Sequence, residues 1–197
     1  MGRLIRAAGR ARARIDAGER GAALVEAAIL MPVVLLIVFG AIEFSSLYKD
    51  AATLSSATRA GGRTASAEPR NANMPTDTAA AVSTALSTFP SSAPQQLWVY
   101  DATFSSNPPG SCSGNCVSFT WNPSSKTFNT GTYDPSRPPT WISDQNACSN
   151  QQTWARIGVY VTAQHPFVTN LFGVGTTKSL SSNAIFRIEP LPSSQCT

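Results

Sequence analysis

Histidine and charged side chains are both scarce in this sequence. The 197 residues include one histidine, and only 13% are charged. No Gly-x-Ser-x-Gly, Ser-x-x-Lys or phosphate-binding glycine loop occurs, and Asp101, Asp134 and Asp144 are too scattered to indicate an acid–base pair. We therefore expect no enzyme, no catalytic residues and no cofactor. The lone His165, in "AQHPF", is interpreted as a structural or turn residue.

Excess basic charge is confined to the N-terminus. The chain has a formal net charge of +4, and residues 1–20 contain six arginines against Asp16 and Glu19. The rest of the chain holds equal numbers of basic and acidic side chains. The basicity is therefore that of a short arm. Beside an apolar segment, such an arm favours a role in membrane orientation over nucleic-acid binding.

One long apolar run follows this arm. Residues 22–42 read "AALVEAAILMPVVLLIVFGAI" and carry a single charge, on Glu26. As a helix the run measures about 31 Å, the thickness of the hydrocarbon core of a bilayer. A buried helix of a soluble protein is the alternative, but such a helix is rarely apolar on every side over this length. The run predicts a transmembrane helix.

The flanking charges predict the orientation of this helix. Six arginines precede it, whereas the first residues after it offer only Glu43, Lys49 and Asp50, so the N-terminus is expected in the cytoplasm. A cleaved secretory signal peptide is the competing interpretation. It would need a site of small residues directly after the run, where the chain instead reads "EFSSLYK". We expect a single-pass protein with an extracytoplasmic body.

Glu26 is an unusual residue in this run, because a carboxylate inside a membrane is costly. It either reaches back to the interface or pairs with another group. Gly21 followed by four residues and Glu26 has the spacing of a type IV prepilin processing site. Cleavage after Gly21 would make Ala22 the new N-terminus, whose amino group the Glu26 of a neighbouring subunit can neutralise in a low-dielectric setting.

The first 67 residues resemble the TadE-like family, which comprises minor pilins or pseudopilins of tight-adherence (Flp-type) pilus systems. In the apolar region the matching residues are Glu19, Arg20, Gly21, Ala22, Val25, Glu26, Pro32, Gly40, Glu43 and Phe44. A second match is "ATRAGGRTAS", where Arg59, Gly61 and Arg63 fill an Arg-x-Gly-x-Arg pattern. Ala27 stands where Flp-type sites commonly carry an aromatic residue, so both a processed subunit and an uncut anchor stay open.

This resemblance implies a component for pilus assembly that acts by subunit packing. The implied partners are other pilins or pseudopilins, the assembly platform, a prepilin peptidase and the lipid bilayer. The implied location is the inner membrane or the pilus itself. A membrane-tethered binding protein that recognises a surface glycan or protein is the alternative function. The residues expected to set packing or register are Glu26, Pro32, Gly40, Glu43, Arg59, Gly61 and Arg63.

The predicted fold is α+β and pilin-like. A helix over residues 19–66, kinked at Pro32 and broken near Gly61-Gly62 or at Glu68-Pro69, would pack its outer half on an antiparallel sheet of about four strands. Alternating patterns predict strands at 96–105, 116–122, 154–165 and 177–189. The predicted divisions are an arm (1–21), a transmembrane segment (22–42), the continuing helix (43–67) and a head (68–197).

Two further segments of the head are less regular in sequence. A short extra helix is expected after a cap at Thr76 or Asp77, with Ala80, Val82 and Leu86 on its apolar face. Residues 125–152 are rich in turn formers and are interpreted as an irregular surface segment. The aromatic residues favour core and sheet packing over a carbohydrate or protein surface. Trp141 and Tyr133 are the candidates for an exception, because they lie in the irregular segment, where there is less core for aromatic rings to fill.

The four cysteines all follow the apolar run. An even number in an oxidising compartment indicates two disulfides, with three connectivities open among Cys112, Cys116, Cys148 and Cys196. We prefer Cys112–Cys116, which closes a tight loop, and Cys148–Cys196, which would tie the irregular segment to the tail as pilin-like heads do. A zinc site is the rival reading, but Cys-x3-Cys is a loose spacing and histidine is scarce, so no metal is expected.

Overall fold

The computed structural model describes the backbone of residues 2–89, 93–130, 133–148, 153–167 and 176–196, and their side chains from residue 21 onward. Within these ranges the chain combines one very long helix with a five-stranded antiparallel sheet and shorter helices. The predicted α+β class is therefore confirmed.

The long helix, α1, spans Gly2–Ala67 and so begins well before the expected residue 19. Its backbone continues through Pro32 and through Gly61-Gly62, where a break had been one of two expectations. It ends directly before Glu68-Pro69, the other expected boundary, because the proline ring disfavours helical conformation in the residue before it. Arg70 then adopts a left-handed conformation with φ of 58° and turns the chain towards the next helix.

The second helix, α2, spans Met74–Ala85 and begins two to three residues before the predicted cap. Its N-cap, Asn73, makes no side-chain capping hydrogen bond, and Pro75 lies in the first turn, where its missing N–H is not needed. Val82 and Leu86 are buried as expected. Ala80 was wrongly assigned to the apolar face: it is exposed, and its neighbour Ala79 is buried instead.

The sheet contains five strands rather than about four. They are β1 (Pro94–Asp101), β2 (Cys116–Asn122), β3 (Thr127–Thr130), β4 (Arg156–Pro166) and β5 (Thr177–Arg187), in the spatial order β3-β2-β1-β4-β5. Every neighbouring pair is antiparallel. The strand missed from sequence is β3, which pairs with β2 through a tight turn at Lys126, where φ is 54°.

The segment 125–152 is therefore more ordered than its composition indicated. Besides β3 it contains a short helix, α3 (Thr140–Ser143). Trp141 is only 8% exposed and belongs to the hydrophobic core, against which Tyr133 packs. The Tyr133 hydroxyl donates to the carbonyl oxygen of Ala72, and burial raises the pKa of this phenol. The expectation of little core around these two residues was wrong.

The core lies between one face of the sheet and the two longer helices. Alternate strand residues, such as Leu97 and Val99 on β1 and Val159 and Val161 on β4, point to this face and are fully buried. They meet Leu54 and other buried residues of α1 and α2. Burying each large aliphatic side chain contributes about 1.5–3 kcal/mol, so this layer holds the outer half of α1 on the sheet.

Two disulfides close the head. Cys112 is bonded to Cys116, with their Cα atoms 5.2 Å apart, and Cys148 to Cys196, with Cα atoms 5.7 Å apart. This is the pairing that we preferred from sequence. The second bond joins the segment after α3 to the C-terminal tail, which also contains a 3-10 turn at Ser193–Gln195.

Candidate functional site

The apolar half of α1 is the largest exposed hydrophobic surface of the described residues. Leu24, Ile29 and Ile37 are 71%, 68% and 63% exposed, respectively. The most apolar 18-residue window of the helix has a mean hydropathy of 2.7, and none of it is buried. In the described part of the chain this is the one helix long and apolar enough to cross a membrane. The core helix of a soluble protein would be buried, so the exposure supports a single-pass membrane protein.

The candidate processing site lies at the start of this surface. Gly21, Ala22 and Glu26 are all exposed on the helix, and a Cβ added at Gly21 would meet no atom within 4 Å. Among the residues with described side chains, no basic group forms an ion pair with Glu26. The Glu26 carboxylate therefore projects from the helix together with the apolar side chains around it.

Gly40 and Glu43 lie where α1 enters the head. Both are buried, and Glu43 is only 4% exposed although it carries a carboxylate. Phe39 and Ile42, beside them in sequence, are 39% and 51% exposed. Before Gly40 the described part of the helix is exposed on every side, and from Gly40 onward one of its faces is buried. Gly40 and Glu43 belong to that buried face, whereas Glu26 and Pro32 lie on the exposed part.

The Arg-x-Gly-x-Arg stretch divides between the inside and the outside of the head. Gly61 is buried, and a Cβ at this position would come closer than 3.0 Å to Val82 of α2. Gly62 is buried in the same way against the ring of Phe186 on β5. Arg59 and Arg63 are exposed on the opposite side of the helix. The glycines therefore allow close packing within the head, and the arginines stay available for other contacts.

Arg59 and Arg63 form part of a shallow groove along the exposed face of α1. The groove is lined by Tyr48, Ala52, Ser55, Ser56, Arg59, Ala60 and Arg63. Tyr48 is 79% exposed, and no carboxylate within the described ranges forms an ion pair with either arginine. This surface carries two positive charges one helical turn apart. It continues along the same helix towards the apolar segment, where Ile42 and Ser45 line a second shallow groove.

Sequence reasoning missed one buried polar contact in this region. His165, on β4, is 3% exposed, and its Nδ1 lies 2.7 Å from Oδ2 of Asp50 on α1. The structural interpretation of His165 agrees with this position, but its partner lies 115 residues away in sequence. No local signal in the sequence indicates such a contact.

No cluster suited to a metal ion occurs among the described residues, where no three His, Cys, Asp or Glu side chains come together. The described cysteines are all in disulfides. The three aspartates considered for acid–base chemistry are not brought together into one site. Asp101 and Asp144 line the same cavity, but Asp134 lies elsewhere and is hydrogen-bonded to Ser136.

Comparisons with known proteins agree with these features of α1. The family model described as "TadE-like protein" matches residues 21–63, which include the exposed apolar surface and the Arg-x-Gly-x-Arg stretch. No curated protein and no solved structure was found to match. The resemblance seen in the sequence is thereby confirmed over this segment. Residues 21–63 are therefore a segment similar to the TadE-like family.

Proposed function

We propose that this protein is a minor pilin or pseudopilin that acts by packing α1 against other subunits of a tight-adherence pilus system. The observation that carries the proposal is the unburied apolar surface of residues 22–42, on the same helix that packs into the head. Such a surface needs either lipid or the apolar helices of other subunits around it. A helix that can move from lipid to a bundle of apolar helices suits a subunit that assembles from the membrane.

In this proposal the chain is organised in four parts. Residues 1–21 form a basic cytoplasmic arm, 22–42 cross the inner membrane, 43–67 continue the helix, and 68–197 form the extracytoplasmic head. The six arginines of the arm support this orientation, because positive charge is retained on the cytoplasmic side. The two disulfides also support it, since disulfides persist in oxidising compartments.

Glu26 has a specific role in the proposal. The described side chains of this subunit offer its carboxylate no ion-pair partner. We infer that its partner comes from a second subunit, and that the amino group released by cleavage after Gly21 is the partner that fits. Pairing in a low-dielectric helix bundle would set the register of one subunit on the next, because an unpaired charge is costly there.

Arg59 and Arg63 supply the corresponding contact outside the membrane. Both lie on the exposed face of α1, one turn apart, and Tyr48 lies on the same face. We infer that they meet acidic groups of a neighbouring pilin or of the assembly platform. The protein is expected to have no catalytic activity of its own.

The first experiment determines the N-terminus of the protein recovered from membranes, by intact mass and terminal sequencing. A chain that starts at Ala22 would support processing and the role of Glu26 in pairing. A chain that retains Met1 would contradict the processed-subunit form of the proposal and favour a permanent anchor.

A second experiment tests subunit packing itself. Glu26→Ala should leave membrane insertion intact and reduce both piliation and co-purification with other pilins. Glu189→Ala, which changes an exposed carboxylate of the head, is the matched control. An Arg59→Glu and Arg63→Glu double variant should have the same effect, with Arg137→Glu as its control. Normal piliation in both sets of variants would contradict the proposal.

A further inference from the structure

Strand β5 forms one edge of the sheet and is the longer of the two edge strands. It has 11 residues and pairs with β4 along its whole length without a bulge. The other edge strand, β3, has 4 residues. The edge of a sheet presents backbone N–H and C=O groups that a further strand can bind, so proteins commonly shorten, bulge or cover such an edge. The edge of β5 is neither short nor bulged.

Hydrogen bonds at the two ends of β5 show which of its residues point away from β4. The N–H of Ile188 donates to the carbonyl oxygen of Ala155. At the other end, the N–H of Phe167 donates to the carbonyl oxygen of Thr176. Backbone groups alternate in direction along a strand, so the even-numbered residues of β5 face β4. The outward N–H and C=O groups belong to Thr177, Ser179, Ser181, Asn183, Ile185 and Arg187.

This outward edge ends at α1. The N–H of Glu189, which also points away from β4, donates to the carbonyl oxygen of Ser66 at 2.9 Å. Among the described residues, no group is hydrogen-bonded to the outward backbone atoms of residues 177–187. The edge is therefore open along the strand and is closed only where it reaches the end of the helix.

Arg59 and Arg63 lie on the side of α1 that flanks this edge. Gly61 faces α2, whereas Gly62 faces the ring of Phe186 on β5. Successive residues turn by about 100° round a helix. Continuing in the direction from α2 to β5, Arg59 lies about 60° beyond Gly62 and Arg63 about 100° beyond it. Both exposed arginines are thus on the β5 side of the helix.

Two further basic residues lie near the ends of β5. Lys178 and Arg187 are both exposed, and the guanidinium carbon of Arg187 is 3.7 Å from the centroid of the Trp154 ring. None of the residues between Lys178 and Arg187 is charged, and none is a proline. Together with Arg59 and Arg63, they place four exposed cations around an uncharged strand edge.

Few carboxylates offset this charge. Strand β5 contains none. In the part of α1 that packs on the head, Glu43 is buried and Asp50 is in contact with His165. Glu189 is exposed, but it lies where the open edge ends. The surface along the edge is therefore positive.

This charge disfavours a second copy of β5 as the additional strand. In an antiparallel pair of two β5 strands, each end would hold Lys178 of one copy and Arg187 of the other, without a carboxylate from either strand. A parallel pair would place each of these cations beside itself. Like charges brought together weaken an interface, whereas acidic residues in a partner would complement these cations.

We propose that β5 binds an extended, acidic segment of a partner protein as a sixth strand of the sheet. The outward backbone groups supply the hydrogen bonds, and the four basic side chains select carboxylates near the ends of the added strand. The proposal rests on the proposed function only in that the partner is then another protein of the pilus system. The way in which the segment binds does not require it.

The test uses the full-length protein in detergent and synthetic peptides of about twelve residues as probes. The acidic probe alternates valine and threonine and has two glutamates at each end. A basic probe has lysines in place of the glutamates, and a methylated probe is the acidic one with a methyl group on every backbone nitrogen. Calorimetric titration should show that the acidic probe binds, that the basic probe binds at least about tenfold more weakly, and that the methylated probe does not bind. Hydrogen exchange should become slower in residues 177–187 when the acidic probe is bound.

Ser181→Pro removes an outward N–H and leaves the hydrogen bonds to β4 in place, because proline is tolerated where the N–H of an edge strand faces solvent. It should weaken the acidic probe about tenfold or more, whereas Ser181→Ala, the matched control, retains the N–H and should bind normally. Lys178→Glu and Arg63→Glu should also weaken this probe. Lys126→Glu, in the turn between β2 and β3, should not. Melting curves of all variants exclude unfolding as the cause.

Glu26→Ala separates this proposal from subunit packing. That variant should bind the acidic probe normally, so a loss of piliation and a loss of probe binding are distinct results. The proposal is overturned if the acidic probe does not bind, if the basic or the methylated probe binds equally well, or if Ser181→Pro binds normally. Slower hydrogen exchange outside β5 alone would overturn it too.

Discussion

His165 Nδ1 and Asp50 Oδ2 lie 2.7 Å apart and join the C-terminal end of β4 to α1 just beyond the apolar segment. The two side chains are 3% and 15% exposed, so the contact is largely shielded from water. The position of α1 relative to the sheet depends on this contact as well as on apolar packing.

Removal of the histidine from this pair should destabilise the head. His165→Ala leaves Asp50 without its partner, which we expect to lower the free energy of unfolding by about 1–3 kcal/mol. Urea denaturation of the full-length protein in detergent measures the change. A double-mutant cycle with Asp50→Ala should give a positive coupling energy, and strictly additive effects would contradict a direct contact.

Close packing at Gly61 should make even a small side chain harmful. In Gly61→Ala the new methyl group would overlap Val82, and we expect a loss of about 1–3 kcal/mol in the free energy of unfolding. Gly110→Ala is the matched control, because a Cβ at Gly110 meets no atom within 4 Å. Thermal melts of both variants provide the comparison. Equal stability of the two variants would show that α1 and α2 do not pack as described here.

The two disulfides should differ in their contribution to stability. The bond between Cys148 and Cys196 closes a loop with a sequence separation of 48, whereas Cys112 and Cys116 are separated by 4. Loop-closure entropy predicts that loss of the first costs about 4 kcal/mol and loss of the second about 2 kcal/mol.

Paired Cys→Ser variants, unfolded under non-reducing conditions, test this order. A non-reduced peptide map provides the check on connectivity. A peptide that links Cys112 to Cys148 would contradict the pairing in the structure.

The stability of the head should depend on pH through Glu68. Burial, and next the nearby carboxylate of Asp77, raise the pKa of Glu68 above its ordinary value of 4.5. The folded state therefore keeps this proton to higher pH than the unfolded state does. The stabilisation that the bound proton provides is fully present below the pKa of Glu68 in the unfolded state. It is lost as pH rises through the pKa of Glu68 in the folded state.

Glu68→Gln imitates the protonated form at every pH. We expect it to raise Tm relative to the parent protein at pH 7, and the two proteins to melt more nearly together at pH 4. Glu189→Gln, at an exposed position, is the control. The difference in Tm between this variant and the parent protein should be the same at pH 4 and pH 7. A Tm difference for Glu68→Gln that is the same at pH 4 and pH 7 would contradict this account.

Much of α1 and of the disulfide framework can be read directly from the sequence. The membrane segment depends on the composition of about 20 consecutive residues, and the end of the helix depends on Pro69, so neither requires knowledge of distant contacts. Strand alternation in β1, β2, β4 and β5 is likewise a local property. The TadE-like segment is recognisable for the same reason, since its residues are close together in sequence.

The structure of the head beyond these elements depends on contacts between residues far apart in sequence. The short strand β3 gains its hydrogen bonds from β2, and its own four residues carry too weak a pattern to predict it. Gly61 is required by Val82, and Asp50 meets His165 across 115 residues. The cavity beside Trp141 and Gln145 exists only where α3 meets the ends of β1 and β4. Local periodicity carries no information on such contacts, because they arise only when the folded chain brings these surfaces together.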